Sequence, residues 1–256
     1  MQSIEKYLSC TLPISLDIRG EVSSTNTLLR EMAAQGAPEG RVLIAESQTA
    51  GRGRLGRSFF SPGSGLYMSL LLRPDFAPEQ AAMLTTAAAA AAALAIEDVS
   101  GRSADIKWVN DIWMAGRKVC GILCESAFTP DGRLDHVIAG IGVNVTALAG
   151  GFPPELDGIA GAVFAPGDAP EDARSRIAAG ILNHFTRFYS GMAAREYFPE
   201  YRKRCFLLGQ KINVLRGGES VPAEAVGLDD ECHLLVRYAD GSEEYLKSGE
   251  VSIRPV

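Results

Sequence analysis

The chain lacks the features that mark membrane, exported and nucleic-acid-binding proteins. Its longest apolar run, Ala87–Ile96, is far shorter than the roughly 20 residues that span a bilayer. Its first residues, Met1–Pro13, show neither the charged nor the apolar part of a secretory signal. Its 25 lysines and arginines are outnumbered by 31 aspartates and glutamates, whereas a general nucleic-acid binder usually carries a basic face. We therefore expect a cytoplasmic protein with neither a membrane nor DNA among its partners.

Cysteine and histidine are scarce and scattered. An odd number of cysteines without an export signal predicts reduced thiols. The spacing Cys120-x3-Cys124 is a weak metal motif without a second pair, so structural thiols are the preferred interpretation. The three histidines share no motif spacing, and the sequence therefore does not support covalent catalysis by a Ser-His-Asp or Cys-His arrangement. The residues concerned are Cys10, Cys120, Cys124, Cys205, Cys232, His136, His184 and His233.

Helix and strand patterns alternate through the first four fifths of the chain. Ser24-Thr25-Asn26 is an N-cap cluster ahead of an apolar stripe, an alanine-rich helix starts at Pro78, and a third helix starts near Pro170. Asp131-Gly132 separates two strand-like runs in the manner of a hairpin turn. Adjacent hairpins with helices elsewhere predict an α+β fold. The strand-like runs are 41–46, 66–72, 104–109, 118–127 and 134–145.

Beyond about Leu208 the pattern changes to short strands separated by Gly217-Gly218, Asp229-Asp230 and Asp240-Gly241. Such a series of short strands predicts a small β-barrel. We therefore expect a larger domain at residues 1–208 and a small barrel at 209–256. The predicted strands are 211–216, 221–228, 231–238, 242–247 and 251–254.

The most informative segment is the arginine loop, Gly51–Arg57, which holds three arginines and three glycines. Glycines let the backbone approach a ligand closely, and guanidinium groups fit phosphate and carboxylate oxygens. A solvated basic surface loop is the alternative. The apolar residues that precede the loop at 41–45 and follow it at 59–60 favour a binding loop held on a rigid scaffold.

The segment Lys107–Trp113 mixes polar and aromatic residues. If it is extended, Lys107 and Asp111 share one face, and Asn110 lies on the other face with Trp108. Asn110 would then need partners that a nucleotide could supply. The alternative is a strand end that enters an Asx-type turn.

Two further segments combine an apolar strand with a chemical group. Lys118 stands immediately before a strand and could reach an acyl or phosphoryl oxygen, although a solvated strand end is the alternative. Gly140–Val145 ends an apolar strand with two glycines and Asn144, but it lacks the rest of a dinucleotide fingerprint. Gly121 and Gly142 would let a flat ligand lie against the backbone, or they mark bulges.

Taken together, these segments resemble the biotin–protein ligase family (biotin–[acetyl-CoA-carboxylase] ligases). Seven elements occur in the family's order, from about Ile14 to the C-terminus. The resemblance implies a mixed β-sheet with helices, a class II synthetase-like catalytic domain that binds biotin and ATP, followed by an SH3-like β-barrel. The matching elements are Ser24-Thr25-Asn26, Glu46–Arg57, Phe60-Ser61-Pro62, Lys107–Asp111, Arg117–Glu125, Gly140–Val145 and Gly249–Arg254.

The resemblance also implies a two-step reaction. The carboxylate of biotin attacks the α-phosphate of ATP, which gives biotinyl-5′-AMP and pyrophosphate. A lysine of a carboxylase carrier domain then takes the biotinyl group and releases AMP. ATP with Mg²⁺ is the co-substrate, biotin is the substrate, and no prosthetic group is expected. The family includes monomers and homodimers that pair through the sheet, so the oligomeric state stays open, as does the acceptor's identity.

Residue roles follow from the same resemblance. Asp111 would lie near the Mg²⁺ of ATP. The arginine loop is expected to order over the acyl-adenylate and exclude water, and the segment around Gly150–Gly161 is expected to form a second cover on the adenine side. Catalytic roles fall on Lys118, Arg52, Arg54, Arg57 and Asn110. Biotin binding falls on Ser24, Thr25, Asn26, Gln48, Arg52, Gly53, Arg54, Lys118, Gly121 and Gly142. Binding of ATP and the adenylate falls on Arg54, Arg57, Phe59, Asn110, Asp111, Lys118 and Asn144.

Three departures from the family pattern accompany the match. Val109 stands where many members have proline, and Phe59 stands where tryptophan is frequent. Few residues precede Ser24, so we expect a ligase without an N-terminal DNA-binding domain. The alternatives are a lipoate–protein ligase or acyltransferase and, from a different class, a non-catalytic RNA-binding protein.

Overall fold

Two β-sheets and four α-helices organise residues 4–253, which the computed structural model describes. The larger sheet has the strand order β1-β2-β3-β7-β6-β5-β4, and the smaller has the order β11-β10-β9-β8-β12. The strands of the larger sheet are β1 (Ser15–Val22), β2 (Arg41–Gln48), β3 (Leu66–Leu72), β4 (Asp105–Lys107), β5 (Asp111–Met114), β6 (Arg117–Phe128) and β7 (Leu134–Val143). The helices are α1 (Thr25–Ala34), α2 (Ala82–Ser100), α3 (Ala173–Ser190) and α4 (Phe198–Arg204).

The larger sheet is mixed, as expected. β1 and β2 run parallel, whereas the other neighbouring pairs are antiparallel. Its two faces bury different residues because successive side chains of a strand point in opposite directions. Val42 and Ile44 of β2 join the main core beside α2, while Leu43 packs with Leu29 of α1 on the opposite face. Helix α1 covers only part of that second face.

Helix α2 is the central helix of the core. By length and composition it could cross a membrane, but 67% of it is buried inside the protein, so it is a core helix. Its alanines let other elements approach closely: a Cβ added at Gly180 of α3 would lie 3.0 Å from the Cβ of Ala95. The predicted stripe on α3 is buried as expected, and it packs into the same core. Its residues are Ile177, Ile181, Phe185 and Phe188.

The smaller sheet confirms the predicted small β unit after Leu208. Its strands are antiparallel, and their buried apolar side chains, among them Ile212, Leu234 and Val251, continue the main core. Trp108 ties the two sheets together, because its Nε1 donates a hydrogen bond of 2.8 Å to the carbonyl of Cys232. The strands are β8 (Lys211–Arg216), β9 (Glu219–Leu228), β10 (Leu234–Tyr238), β11 (Glu243–Leu246) and β12 (Glu250–Ser252).

The structure differs from the sequence-based expectation in several places. β1 and α4 were not predicted. The segment Lys107–Trp113 is not one extended strand, because residues 108–110 form a turn between β4 and β5. The strand expected at 231–238 begins later, since Asp229 first accepts backbone hydrogen bonds in a turn. Arg254, the end of the last predicted strand, lies outside the described residues.

Candidate active site

One cavity of about 590 Å³ opens where the uncovered part of the larger sheet meets the arginine loop and the smaller sheet. The sequence-predicted site residues all line it. They come from β2, β5, β6 and β7, from the start of α1 and from the arginine loop. These residues are Ser24, Thr25, Asn26, Gln48, Arg52, Gly53, Arg54, Arg57, Phe59, Asn110, Asp111, Lys118, Gly121, Gly142 and Asn144.

The floor of the cavity is a single row of cross-strand partners. Tyr67 of β3 pairs with Gly142 of β7, Gly142 pairs with Gly121 of β6, Gly121 pairs with Asp111 of β5, and Asp111 pairs with Lys107 of β4. Direct partners point to the same face, and neighbouring strands lie about 4.8 Å apart, so the row spans about 19 Å. The floor therefore suits an elongated ligand that lies across the strands.

The β3 end of the cavity is a network of polar side chains. Ser24 is the N-cap of α1, and its hydroxyl accepts from the Thr27 backbone N–H. The cap fixes the first turn, so that Thr25 reaches Gln48: its backbone N–H and its hydroxyl donate to Gln48 Oε1 at 2.9 and 3.2 Å. Gln48 Nε2 in turn donates to Ser61 Oγ at 3.0 Å. These groups form a compact set of donors and acceptors at this end of the row.

The same network continues through Asn26 to a carboxylate. The buried Ser69 hydroxyl lies 2.7 Å from Thr25 Oγ1 and 2.6 Å from Asn26 Oδ1. Asn26 Nδ2 donates to Glu125 Oε2 at 2.9 Å. Because a buried polar group without a partner is costly, these links hold the amide and hydroxyl groups in fixed orientations.

Each arginine of the loop contacts a different part of the molecule. Arg52 forms an ion pair of 2.9 Å with Glu125 of β6. Arg57 makes two hydrogen bonds, of 2.9 and 2.7 Å, with the carboxylate of Glu250 in β12. This hydrogen bonding raises the pKa of Arg57 above its ordinary value. The arginine loop is therefore fixed at both ends by carboxylates from distant strands.

Arg54 bridges the two sheets. Its guanidinium donates at 2.8 Å to Asn110 Oδ1 and at 3.0 Å to the backbone carbonyl of Gly249. Asn110 is itself fixed, because its Nδ2 donates to the Ile122 carbonyl at 2.8 Å. Between the arginines, Leu55 has a positive φ of 56° and is 74% exposed, so the tip of the loop presents an apolar side chain to solvent.

Lys118 and Asp111 meet over the middle of the floor. Lys118 Nζ lies 2.6 Å from Asp111 Oδ1, an oxygen that is buried and accepts no hydrogen bond of regular geometry. The backbone of Lys118 pairs with the segment 154–161: its N–H donates to the Ile159 carbonyl, and its carbonyl accepts from Gly161, both at 2.8 Å. Asn144 Nδ2 donates to the same Gly161 residue's carbonyl at 2.9 Å.

Phe59 covers the two glycines of the floor. A Cβ added at Gly142 would lie 2.7 Å from its ring, and one added at Gly121 would lie 3.1 Å from it. The ring also meets Tyr67 edge to face, with a centroid distance of 6.4 Å. A ligand that contacts Gly121 and Gly142 must therefore displace the Phe59 ring. A ligand that leaves the ring in place would pack against it instead.

The mouth of the cavity is bridged by an aromatic pair. Phe60 follows the arginine loop, and Phe152 belongs to the segment 150–161 that was expected to form a second cover. Their rings meet edge to face with a centroid distance of 6.4 Å. The residues that follow the arginine loop therefore touch the segment 150–161 across the cavity.

Sequence reasoning missed several residues that contact the site. Glu125, Tyr67 and Ser69 were not selected, although strand alternation places Glu125 on the face of Gly121, and Tyr67 with Ser69 on one face of β3. Glu125 and Glu250 each belonged to a matching motif but received no role. The ion pair of Glu250 with Arg57 joins residues 193 positions apart, and no local pattern predicts such a contact.

The scattered thiols and imidazoles lie apart from the cavity lining. The described cysteines are free thiols, and burial raises the pKa of Cys205 to about 11. His136, His184 and His233 each contact an aspartate, at 2.6, 2.9 and 2.8 Å respectively. No described cysteine or histidine is part of the cavity lining.

Comparison with known proteins gives consistent matches over both parts of the chain. Residues 20–144 match the model of the biotin/lipoate A/B protein ligase family, and residues 207–254 match that of the biotin protein ligase C terminal domain. The bifunctional ligase/repressor BirA of Bacillus subtilis is 36% identical over 224 residues, which are 86% of this chain and 68% of the relative. The biotin–[acetyl-CoA-carboxylase] ligase of Mycobacterium tuberculosis is 35% identical over 234 residues, 86% of this chain and 82% of the relative.

Solved structures show the same similarity. The biotin protein ligase from Aquifex aeolicus in complex with biotin and ATP is 25% identical and has a TM-score of 0.75; the match covers 94% of this chain and 99% of that chain. The biotin protein ligase from Leishmania major in complex with biotinyl-5-AMP is 26% identical with a TM-score of 0.63, over 92% of this chain and 99% of that chain.

Proposed function

The chain belongs to the biotin protein ligase family, and from this premise we propose that its cavity activates biotin with ATP and passes the biotinyl group to a carrier protein. The enzyme is an ATP-dependent biotin–[acetyl-CoA-carboxylase] ligase. Three of the four proteins compared above are named as biotin ligases, and the fourth is named as a bifunctional ligase/repressor. No feature described above specifically supports lipoate as the substrate, and none supports RNA binding.

The observation that carries the proposal is the gathering of five cationic side chains around one elongated cavity in a chain of net charge −6. The first step brings the carboxylate of biotin against the triphosphate of ATP. Two unit charges of like sign at 4 Å repel by about 4 kcal/mol at an effective dielectric constant of 20. Arg52, Arg54, Arg57 and Lys118 are the side chains that would offset this repulsion.

We assign the β3 end of the cavity to the ring system of biotin. Its donors and acceptors are already fixed by the hydrogen bonds that join Thr25, Asn26, Gln48 and Ser69, and preorganised polar groups bind a ligand without a further ordering cost. The complete set of proposed biotin-binding residues is Ser24, Thr25, Asn26, Gln48, Arg52, Gly53, Arg54, Lys118, Gly121 and Gly142.

We assign the middle of the row and the side that faces Asn144 to the α-phosphate and the nucleoside. Lys118 lies above Gly121, since its Nζ is 3.3 Å from the position of an added Cβ there. From this place it can exchange Asp111 for an oxygen of the substrates. The proposed residues for ATP and the adenylate are Arg54, Arg57, Phe59, Asn110, Asp111, Lys118 and Asn144.

Lys118, the three arginines and Asn110 would act in the first step by stabilising charge. An oxygen of the biotin carboxylate forms a bond to the α-phosphorus, and the bond from that phosphorus to the bridging oxygen of the β-phosphate breaks, so that pyrophosphate leaves with the electron pair. Donors aimed at oxygens that gain charge lower the barrier to such a step. In the second step the amine of the acceptor lysine attacks the acyl carbon, loses its proton and releases AMP.

Asp111 fits a role beside Mg²⁺. Its buried Oδ1 lacks a regular hydrogen bond, and a magnesium ion at a nucleotide needs only one or two carboxylates in addition to phosphate oxygens. No group of three or more His, Cys, Asp or Glu side chains suited to a metal occurs within residues 4–253. When bound, Mg²⁺ would neutralise phosphate charge, and Asp111 would orient it.

The arginine loop and the segment 150–161 would exclude water from the cavity. An acyl-adenylate hydrolyses in water, and enzymes commonly close loops over such intermediates. The contact between Phe60 and Phe152 already joins the arginine loop's flank to the segment 150–161. We propose that this contact persists over bound biotinyl-AMP.

Pyrophosphate release without any acceptor protein tests the proposal. Purified enzyme is mixed with MgATP and either biotin or lipoate, and pyrophosphate is measured against time. We expect a biotin-dependent burst of about one equivalent per active site, because the adenylate stays bound. A lipoate-dependent burst, or no release from folded enzyme with either acid, would refute it.

Several further expectations stay predictions. The boundary between residues 208 and 209, the cytoplasmic location, the absence of DNA binding and the acceptor's identity as a carboxylase carrier domain belong to the proposal. So does a homodimer through the sheet, for which β1 is an available edge: it pairs only with β2 among the described strands, and Ile18 on it is 42% exposed.

A further inference from the structure

Lys107 ends the row of side chains on the cavity floor, and the assignments above give it no role. It lies on β4, directly across from Asp111, and lines the cavity. Its Nζ is 5.6 Å from the centroid of the Trp113 ring, which also lines the cavity. The row therefore begins with the polar network near Tyr67 and ends, about 19 Å away, with a cation.

The direction in which pyrophosphate leaves during the first reaction step points to a role for Lys107. In phosphoryl and nucleotidyl transfer the attacking and leaving oxygens lie roughly in line with the phosphorus. Biotin approaches from the β3 end, and Lys118 marks the α-phosphate above Gly121. The leaving pyrophosphate must then depart away from β3, past Asp111 and toward Lys107, which is one strand beyond Asp111.

We propose that Lys107 binds the β- and γ-phosphates of ATP and the pyrophosphate they become. This inference rests on the proposed function, since it takes biotin and ATP as the substrates. The indole face of Trp113 holds the ammonium group at this end of the row through a cation–π contact. Lys107 would therefore act on ATP and pyrophosphate but not on biotinyl-AMP, which lacks both outer phosphates.

The decisive experiment separates these ligands with the variant Lys107→Met, which keeps the length of the apolar stem. The affinity for biotinyl-5′-AMP is measured by calorimetry, and pyrophosphorolysis is measured as ATP formed from biotinyl-5′-AMP and magnesium pyrophosphate. We expect kcat/KM for pyrophosphate to fall about tenfold or more, as for the loss of one charge-assisted hydrogen bond. The affinity for biotinyl-5′-AMP should stay within about twofold of the unsubstituted enzyme, because this ligand lacks the outer phosphates.

Lys107→Arg should retain most of the pyrophosphate activity, because it keeps the charge. Lys203→Met, which removes an exposed lysine of α4, is the matched control and should change neither quantity. Equal losses for pyrophosphate and biotinyl-5′-AMP would show that Lys107 supports the whole site, and no loss would show that it binds neither; both results overturn the inference. If the unsubstituted enzyme itself forms no biotinyl-AMP from biotin and MgATP, the proposed function fails instead.

Discussion

The contact between Gly142 and Phe59 gives a prediction whose size can be worked from the structure. A Cβ at Gly142 would lie 2.7, 3.0 and 3.1 Å from three carbons of the Phe59 ring. Carbon atoms prefer separations of about 3.5–4.0 Å, so Gly142→Ala must push the ring outward by about 1 Å. The strand cannot yield instead, because Gly142 is paired with Tyr67 on one side and Gly121 on the other.

We expect Gly142→Ala to cost about 1–3 kcal/mol in the free energy of unfolding, as for an overpacked core, and to weaken the binding of biotinyl-AMP. Urea denaturation and calorimetry measure the two effects. When Phe59 is already replaced by alanine, Gly142→Ala should change the free energy of unfolding by almost nothing. The coupling energy between the two substitutions should therefore be about as large as the effect of Gly142→Ala alone. Gly227→Ala in β9, where an added Cβ meets nothing within 4 Å, is the control. An equal cost of Gly142→Ala with and without the Phe59 ring would refute the reasoning.

Three further predictions concern single groups. Lys118→Ala should slow biotinyl-AMP formation about 10- to 150-fold, as for the loss of a charge-assisted hydrogen bond, and a normal burst of pyrophosphate would remove Lys118 from the mechanism. Arg54→Gly breaks the links to Asn110 and Gly249, so biotinyl-AMP should dissociate about tenfold faster or more and label lysines of bystander proteins; unchanged dissociation would contradict its role in the cover. The Cys205 thiol, whose pKa is raised to about 11, should resist iodoacetamide at neutral pH in native enzyme. Because the pKa of Cys205 is higher in the folded than in the unfolded protein, the free energy of unfolding should fall as the pH rises from the ordinary thiol pKa toward 11. Cys205→Ser, whose hydroxyl does not titrate in this range, should make that fall less steep. An equally steep fall in the variant would refute the assignment.

The elements that were predicted from sequence are those with strong local signals. The cap at Ser24, the alanine-rich α2 and the apolar stripe of α3 each follow from spacing within a few residues. β1 lacked such a signal because it is an edge strand with three consecutive exposed polar or glycine positions, Arg19-Gly20-Glu21, in its second half. α4 spans seven residues, too few for a period of 3.6 to be visible.

The site was predicted in its ligand-facing groups but not in their protein partners. The arginines, the glycines and Lys118 can be recognised as candidate ligand-binding residues from short sequence motifs alone. The carboxylates that hold them come from elsewhere: Glu125 is 73 positions from Arg52, and Glu250 is 193 positions from Arg57. Lys107 and Asp111 do share a face as expected, although they do so as partners across a hairpin and not as alternate residues of one strand.

These partner carboxylates bear on how the enzyme binds its substrates. Clustered cations repel one another, and Arg52, Arg57 and Lys118 are instead paired with Glu125, Glu250 and Asp111, respectively, at 2.6–2.9 Å. Binding of biotin and ATP therefore exchanges one set of anions for another, and the free energy gained is the difference between the two sets. Biotin alone brings one negative charge, whereas ATP brings several. The arginine loop should consequently rearrange more when ATP binds than when biotin binds alone, and an acyl-adenylate that needs protection from water forms only when both substrates are present.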